Sequence, residues 1–157
     1  MYRDRKGKFH KKPADRTSKL RKSAYGVYLT NKKVLLVKPK WSNLWEFPGG
    51  GKNPNEKIGD TLRREFVEET GFTKIIFDEN PLKILRTKFY ADDLDIYFES
   101  EMYFFRINKL SSQNKGLVNR NEISDLGLIS IKKLNKDNMK NTHLKILSNY
   151  LTKNFTI

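Results

Sequence analysis

Glu65, Glu68 and Glu69 lie within five residues of one another, shortly after a run of three glycines, Gly49 to Gly51. In a helix, positions i, i+3 and i+4 share one side, so this spacing draws three carboxylates onto one patch. Their mutual repulsion needs compensation, and a hard divalent cation supplies it. Mg²⁺ prefers carboxylate oxygens, retains several waters and completes its shell with substrate phosphates. An ion so held neutralises phosphate charge and polarises an attacking water. Arg64 stands one turn before Glu68 and pairs with it or with Glu56, holding the cluster in shape. The glycines let backbone approach a ligand with no Cβ in the way, and the Gly49 carbonyl is a further oxygen for the metal. A solvated acidic helix face after a glycine turn is the competing reading when each feature is taken alone.

Such glutamates need a helix to carry them, and the pattern predicts one from about Glu56 to Thr70. Ile58, Leu62 and Phe66 recur every fourth residue as an apolar stripe, so one side is buried while the other is acidic. Gly71 stands where a left-handed residue closes a helix. Upstream, "AYGVYLTNKKVLLVKPK" reads as two strands joined by a polar turn at residues 31–33 and ended by Pro39. Downstream, "LKILRTKFY" and "DIYFESEMYFFRI" read as long strands joined by the acidic turn Asp92–Asp95. That turn is a rival metal cluster, although alternate acids are more simply turn formers. In the second strand, Tyr97, Glu99, Glu101 and Tyr103 share one face, and Ile96, Phe98, Met102 and Phe104 the other. "LGLISI" is a further strand, and residues 138–153 form an amphipathic helix with Leu144, Leu147 and Leu151 inward. Strands around a central helix, closed by a second helix, imply a mixed α/β or α+β domain.

The 157 residues are the size of one ordinary domain. No cysteine is present, which excludes disulfides and zinc–thiolate sites. Apolar runs are too short to span a bilayer, and the N-terminus lacks the apolar core of a secretory signal. A soluble, cytoplasmic protein is the expectation. The net charge of +14 is unevenly placed, because residues 1–22 hold ten basic side chains against Asp4 and Asp15. This segment is expected to be a separate basic tail, disordered in solution or bound to a polyanion such as RNA. Residues 23–157 are expected to form a single domain.

Taken together, Gly50, five residues, Glu56, seven residues, then Arg64-Glu65-Phe66-Val67-Glu68-Glu69-Thr70-Gly71-Phe72 resembles the complete Nudix box. The preceding Trp45-Glu46-Phe47-Pro48 is similar to the lead-in of that family. The resemblance implies an α/β/α sandwich with a mixed sheet, and Mg²⁺- or Mn²⁺-dependent hydrolysis of a nucleoside diphosphate linked to another group. It implies that Glu65, Glu68 and Glu69 bind the metal with the Gly49 carbonyl assisting, that Glu65 and Glu68 serve catalysis, and that Arg64 orients the glutamates. The general base varies within the family and sometimes lies beyond the box; Glu101 and Glu122 are the candidates here.

The substrate is less legible. Lys88 stands where many ADP-ribose hydrolases of the family have proline, and Tyr90 is similarly placed to a tyrosine of dinucleoside polyphosphate hydrolases. Lys38 is a candidate to meet substrate phosphates, and Trp45, Phe47 and Tyr90 are candidates to stack a base. A nucleoside triphosphate or related small nucleotide is the first expectation. The 5′ end of an RNA, a dinucleoside polyphosphate, and a non-catalytic binding module on the same fold are the alternatives.

Overall fold

The computed structural model describes residues 1–4 and 6–154. Arg5, counted among the basic residues of the N-terminal segment, and residues 155–157 of the expected domain lie outside them. The apolar alternation of the sequence becomes ten strands: β1 (Tyr2–Arg3), β2 (Phe9–His10), β3 (Ser18–Val27), β4 (Leu29–Thr30), β5 (Lys33–Pro39), β6 (Gly49–Gly51), β7 (Phe72–Phe77), β8 (Lys83–Ala91), β9 (Ile96–Gln113) and β10 (Ile123–Ser130). Helix α1 spans Ile58–Thr70 and α2 spans Asn141–Asn154.

A mixed sheet runs β2-β1-β8-β9-β3-β6, with β7 also paired to β9, and a smaller sheet runs β10-β5-β4. Strand β9 is its spine. Its 18 residues pair antiparallel with β8 along the first half and with β7 along the second. On its other edge, β3 runs parallel from Ser18↔Tyr97 to Val27↔Arg106. A parallel neighbour requires a long crossover, and the glycine turn and α1 are part of it.

Side-chain alternation then sorts the two faces. Leu62 and Phe66 of α1 pack with Ala24, Leu35, Phe105 and Ile107 on one face. On the other, Ile146 and Leu147 of α2 pack with Val27, Leu36, Phe47 and Phe104. The result is an α/β/α arrangement over a mixed sheet. Phe66 is fully buried, and truncating such a side chain costs about 3–5 kcal/mol. Among the described residues no helix is long and apolar enough to cross a membrane.

Three stretches of the described N-terminal segment, Tyr2–Arg3, Phe9–His10 and residues 18–22, pair into the sheet. Residues 18–22 are the N-terminal half of β3, so the expected boundary at residue 22 falls inside a strand. Ahead of them, β1 and β2 form a small antiparallel hairpin, and β1 joins β8 in parallel at Arg3↔Phe89. Asp4 ties the hairpin: one carboxylate oxygen accepts from the amides of Lys6 and Lys8, each at 2.9 Å, and the other meets His10 Nε2 at 2.7 Å. Tyr2 is buried against Tyr97 and donates from its hydroxyl to Glu99 at 2.9 Å. A single aromatic anchor thus offsets the solvation preference of the surrounding lysines.

Candidate active site

The site is assembled where α1 faces β6. Ile58, Leu62 and Phe66 turn one side of the helix to the core, and Gly71, with φ 76°, ends it in the left-handed conformation. That rotation sets Glu65 and Glu69 against the glycine strand, both largely buried. The Gly49 amide donates to Glu69 Oε2 at 3.0 Å. Gly49 has φ 154°, a region that side chains rarely enter, and a Cβ there would meet the Ala24 carbonyl oxygen at 2.0 Å. A Cβ on Gly50 would stand 2.6 Å from the Glu65 carboxyl carbon. Gly50 therefore makes room for the Glu65 carboxylate, and Gly49 for the close approach of the β3 backbone.

Arg64 organises the outer rim. Its Nε donates to Glu56 Oε2 at 2.8 Å, Nη1 to Glu65 Oε1 at 3.0 Å and Glu68 Oε2 at 3.3 Å, and Nη2 to the Gly51 carbonyl at 2.8 Å. One guanidinium thus bridges three carboxylates and the glycine strand. The fixed fork of Arg suits this task, and an ammonium would not span it. Glu56 also accepts from the Thr61 hydroxyl, and with Arg64 this holds its carboxyl down to about 2.

Burial acts the other way on the inner pair. Desolvation pushes the Glu69 carboxyl well above the usual carboxylate range, opposed by the Gly49 amide and reinforced by the charges of Glu65, Glu46 and Glu122. Desolvation likewise raises Glu65, against the pull of Arg64. Two buried carboxylates that share a single guanidinium, on Glu65 alone, are a standing electrostatic cost. Hard oxygen donors in this state fit a divalent cation. As they stand, no three acidic or imidazole groups among the described residues already converge at metal-binding spacing; Arg64 rather than a cation bridges Glu65 and Glu68.

The remaining sequence candidates separate. Glu122 is close enough for its charge to raise both Glu65 and Glu69. Glu101 is paired on β9 with Arg86 Nη2 at 3.2 Å and accepts from the Tyr103 hydroxyl at 3.3 Å. Lys38 and Trp45 come together, the ammonium lying 4.5 Å from the indole centre. Phe47 is fully buried and stacked on His143, so it belongs to the core and is not free to stack a base. Tyr90 stacks on Tyr97 and donates to Asp95 at 2.9 Å. It lies level with Tyr97, whereas the glycine strand lies level with Tyr103, roughly 20 Å along β9. Asp95 is also taken by Arg16, which fits a turn former rather than a metal ligand.

Three groups around the lead-in to the glycines are not among the candidates that the motif singles out. Glu46 is mostly buried, raised by desolvation and met by Lys140 Nζ at 3.7 Å. The Tyr25 hydroxyl is raised to about 12 by desolvation, with the charges of Glu46, Glu69 and Glu65 adding to it. His143 accepts the Phe47 amide on Nδ1 at 3.0 Å and so fixes the lead-in to the glycines from α2. The 96-residue separation hides that contact from any local pattern.

Comparison with known proteins agrees with this geometry. Residues 20–150 match the NUDIX domain. An 8-oxo-dGTP diphosphatase of Buchnera aphidicola subsp. Schizaphis graminum is 33% identical over 88 residues, covering 54% of this chain and 60% of the relative. An RNA pyrophosphohydrolase of Actinobacillus pleuropneumoniae is 43% identical over 51 residues, covering 31% of this chain and 25% of the relative. The matches thus span only part of these relatives' length. A NUDIX hydrolase from Nitrosomonas europaea superposes with a TM-score of 0.67 at 17% identity, over 86% of this chain and 90% of that one. The glutamate helix, its glycine strand and the α/β/α frame together carry the conclusion that this chain belongs to the NUDIX hydrolase family.

Proposed function

We propose that the chain is a metal-dependent pyrophosphohydrolase acting on a nucleoside diphosphate linked to another group, with a nucleoside triphosphate or similar small nucleotide as substrate. The observation that carries this reading is the pair of buried carboxylates, Glu65 and Glu69, set against the glycine strand, with one guanidinium on Glu65 and only a backbone amide on Glu69. Glu65, Glu68, Glu69 and the Gly49 carbonyl would hold Mg²⁺ or Mn²⁺. When bound, the ion neutralises phosphate charge and makes water a stronger acid.

The chain's own groups do the rest. Arg64 keeps Glu65 and Glu68 aimed and shields them from one another. Glu122, outside the helix and near both inner glutamates, takes the proton as the water oxygen bonds to phosphorus. The anhydride P–O bond breaks, and its electron pair leaves on the departing phosphate. Lys38 and Trp45, held together as a cation–π pair, would supply a cation and an aromatic surface to the substrate. The 8-oxo-dGTP diphosphatase relative supports a nucleotide-pool substrate. The RNA pyrophosphohydrolase relative, together with the basic N-terminal segment, favours a second reading in which the anhydride is at an RNA 5′ end.

The test is purified protein with Mg²⁺ or Mn²⁺ against nucleoside triphosphates, 8-oxo-dGTP, dinucleoside polyphosphates and 5′-triphosphorylated RNA. Metal-dependent release of phosphate or pyrophosphate from at least one substrate is expected. No release from any of them would leave a binding module on this fold.

A further inference from the structure

Past Gly51 the edge of the main sheet is open. Strand β6 covers β3 only at Ser23, Ala24 and Tyr25, and the Lys52 amide adds one contact to the Lys22 carbonyl at 2.8 Å. Among the described residues no strand pairs with the same edge along residues 18–21. A groove of about 410 Å³ follows it, lined by Leu20, Arg21, Lys22, Gly51, Lys52 and Pro54. Its lining holds three cations and no carboxylate. Arg64 reaches its inner end by donating to the Gly51 carbonyl.

The nearby acids are occupied. Glu101 is met by Arg86, Glu99 accepts from Tyr2 and Ser18, Asp4 is tied to His10, and Asp95 is tied to Arg16. The groove lining itself adds no carboxylate to compete with a phosphate for its three cations. Apolar surface accompanies them. Leu20 is 58% exposed and lines the groove. A cationic groove with an apolar side chain in its floor can follow a single-strand backbone without reading sequence.

We propose that this edge is a track for the backbone of single-stranded RNA, running from the glycine strand along the open edge of β3 toward Ser18. Ser23 is level with Gly51, so Ser18 lies roughly 17 Å farther along the strand. Arg21, Lys22 and Lys52 meet successive phosphates, and a strand lying on the track presents its 5′ phosphates to the glutamate helix. This deepens the reading of that helix as the hydrolytic centre and rests on it. The competing role for the same charges is to guard an exposed edge against pairing with another chain.

The experiment measures binding apart from hydrolysis. A fluorescent 5′-hydroxyl RNA of about ten nucleotides, within the ~4–16 that single-strand sites cover, is titrated with the full chain without divalent metal at several salt concentrations. Each phosphate neutralised on a single strand contributes about −0.7 to the slope of log K against log salt. The triple variant Arg21→Ala, Lys22→Ala, Lys52→Ala is expected to flatten that slope by about 2 and to weaken binding at least 10-fold at low salt. Its Mg²⁺-dependent hydrolysis of a nucleoside triphosphate should stay within about 2-fold of the parent, since none of the three touches the glutamates. Lys22→Gln alone gives a smaller loss in the same direction, restored by Lys22→Arg, which keeps the test open if the triple variant folds poorly. Unchanged RNA affinity with increased self-association would overturn the proposal in favour of edge protection. So would tighter binding to vesicles of anionic lipid than to RNA, or an equal loss of RNA binding and triphosphate hydrolysis. Failure of the parent to hydrolyse any nucleotide while binding RNA with this salt slope would defeat the hydrolytic reading and leave the track standing.

Discussion

The backbone amide of Gly49 donates to Glu69 Oε2 at 3.0 Å, joining the glycine strand to the last glutamate of the helix in a buried setting. The contact sets a fixed backbone dipole against a buried carboxylate, which opposes part of the desolvation that raises Glu69.

Glu69→Gln keeps the shape of this contact, because the amide oxygen still accepts from Gly49, but it removes the charge. Turnover should fall by about 100-fold or more, equivalent to ~3 kcal/mol of transition-state stabilisation. Metal-free thermal stability should be equal or higher, since a neutral group replaces one that burial already drives toward neutrality. Parallel measurement of kcat/KM and of Tm in a chelator checks both arms; near-normal turnover would remove Glu69 from the metal site.

Arg64→Lys should lose roughly 10–100-fold in activity, because an ammonium cannot reach Glu56, Glu65, Glu68 and the Gly51 carbonyl together. It should also change acid stability. The folded value of Glu56, about 2, lies below its ordinary 4.5. Its contribution is therefore present above the ordinary value and lost as pH falls from 4.5 toward 2. Denaturant titrations across that window should show a flatter acid limb for Arg64→Lys than for the parent.

Metal binding should release protons and tighten as pH rises. Burial raises Glu65 and Glu69, and both must be ionised to take a cation. Calorimetric titration of Mg²⁺ in two buffers of different ionisation enthalpy reads the protons released. Activity should climb from neutral into the alkaline range. A rate optimum near about pH 5 would contradict these roles for the carboxylates.

His143 supplies a stability signature independent of activity. Burial, with a smaller effect from the Lys140 charge, drives its pKa well below the ordinary 6.5. The unfolded chain then binds the proton more readily than the folded one. Stability is full above the unfolded value and falls as pH drops below it, by up to about 1.4 kcal/mol per unit. His143→Gln should flatten this slope between roughly pH 6.5 and 5 while lowering Tm at neutral pH, because the Phe47 amide loses its ring acceptor. An unchanged slope would show that the histidine titrates normally in the fold.

Local spacing determined the chemistry of this protein. The helix, its apolar stripe, its left-handed stop at Gly71 and the convergence of Glu65, Glu68 and Glu69 on one side all follow from a 3.6-residue repeat, and the helix lies at Ile58–Thr70 as that repeat requires. The hairpin turn at Asn31 and Lys32, both with positive φ, is equally local. What tertiary structure alone decided is everything set by contacts distant in sequence. Phe47 was assigned to the core by His143 of α2, whereas Trp45, its neighbour but one in a single motif, is only partly buried and carries Lys38 over its ring. Tyr90 was drawn away from the site by the register of β8 on β9, and Glu101 was claimed by Arg86 across the same ladder. The N-terminal segment, whose composition alone reads as solvated, was held on the sheet because Tyr2 finds Tyr97 and residues 18–22 find β9. Composition records the cost of burying charge, but only the folded sheet shows where backbone pairing and one aromatic contact exceed it.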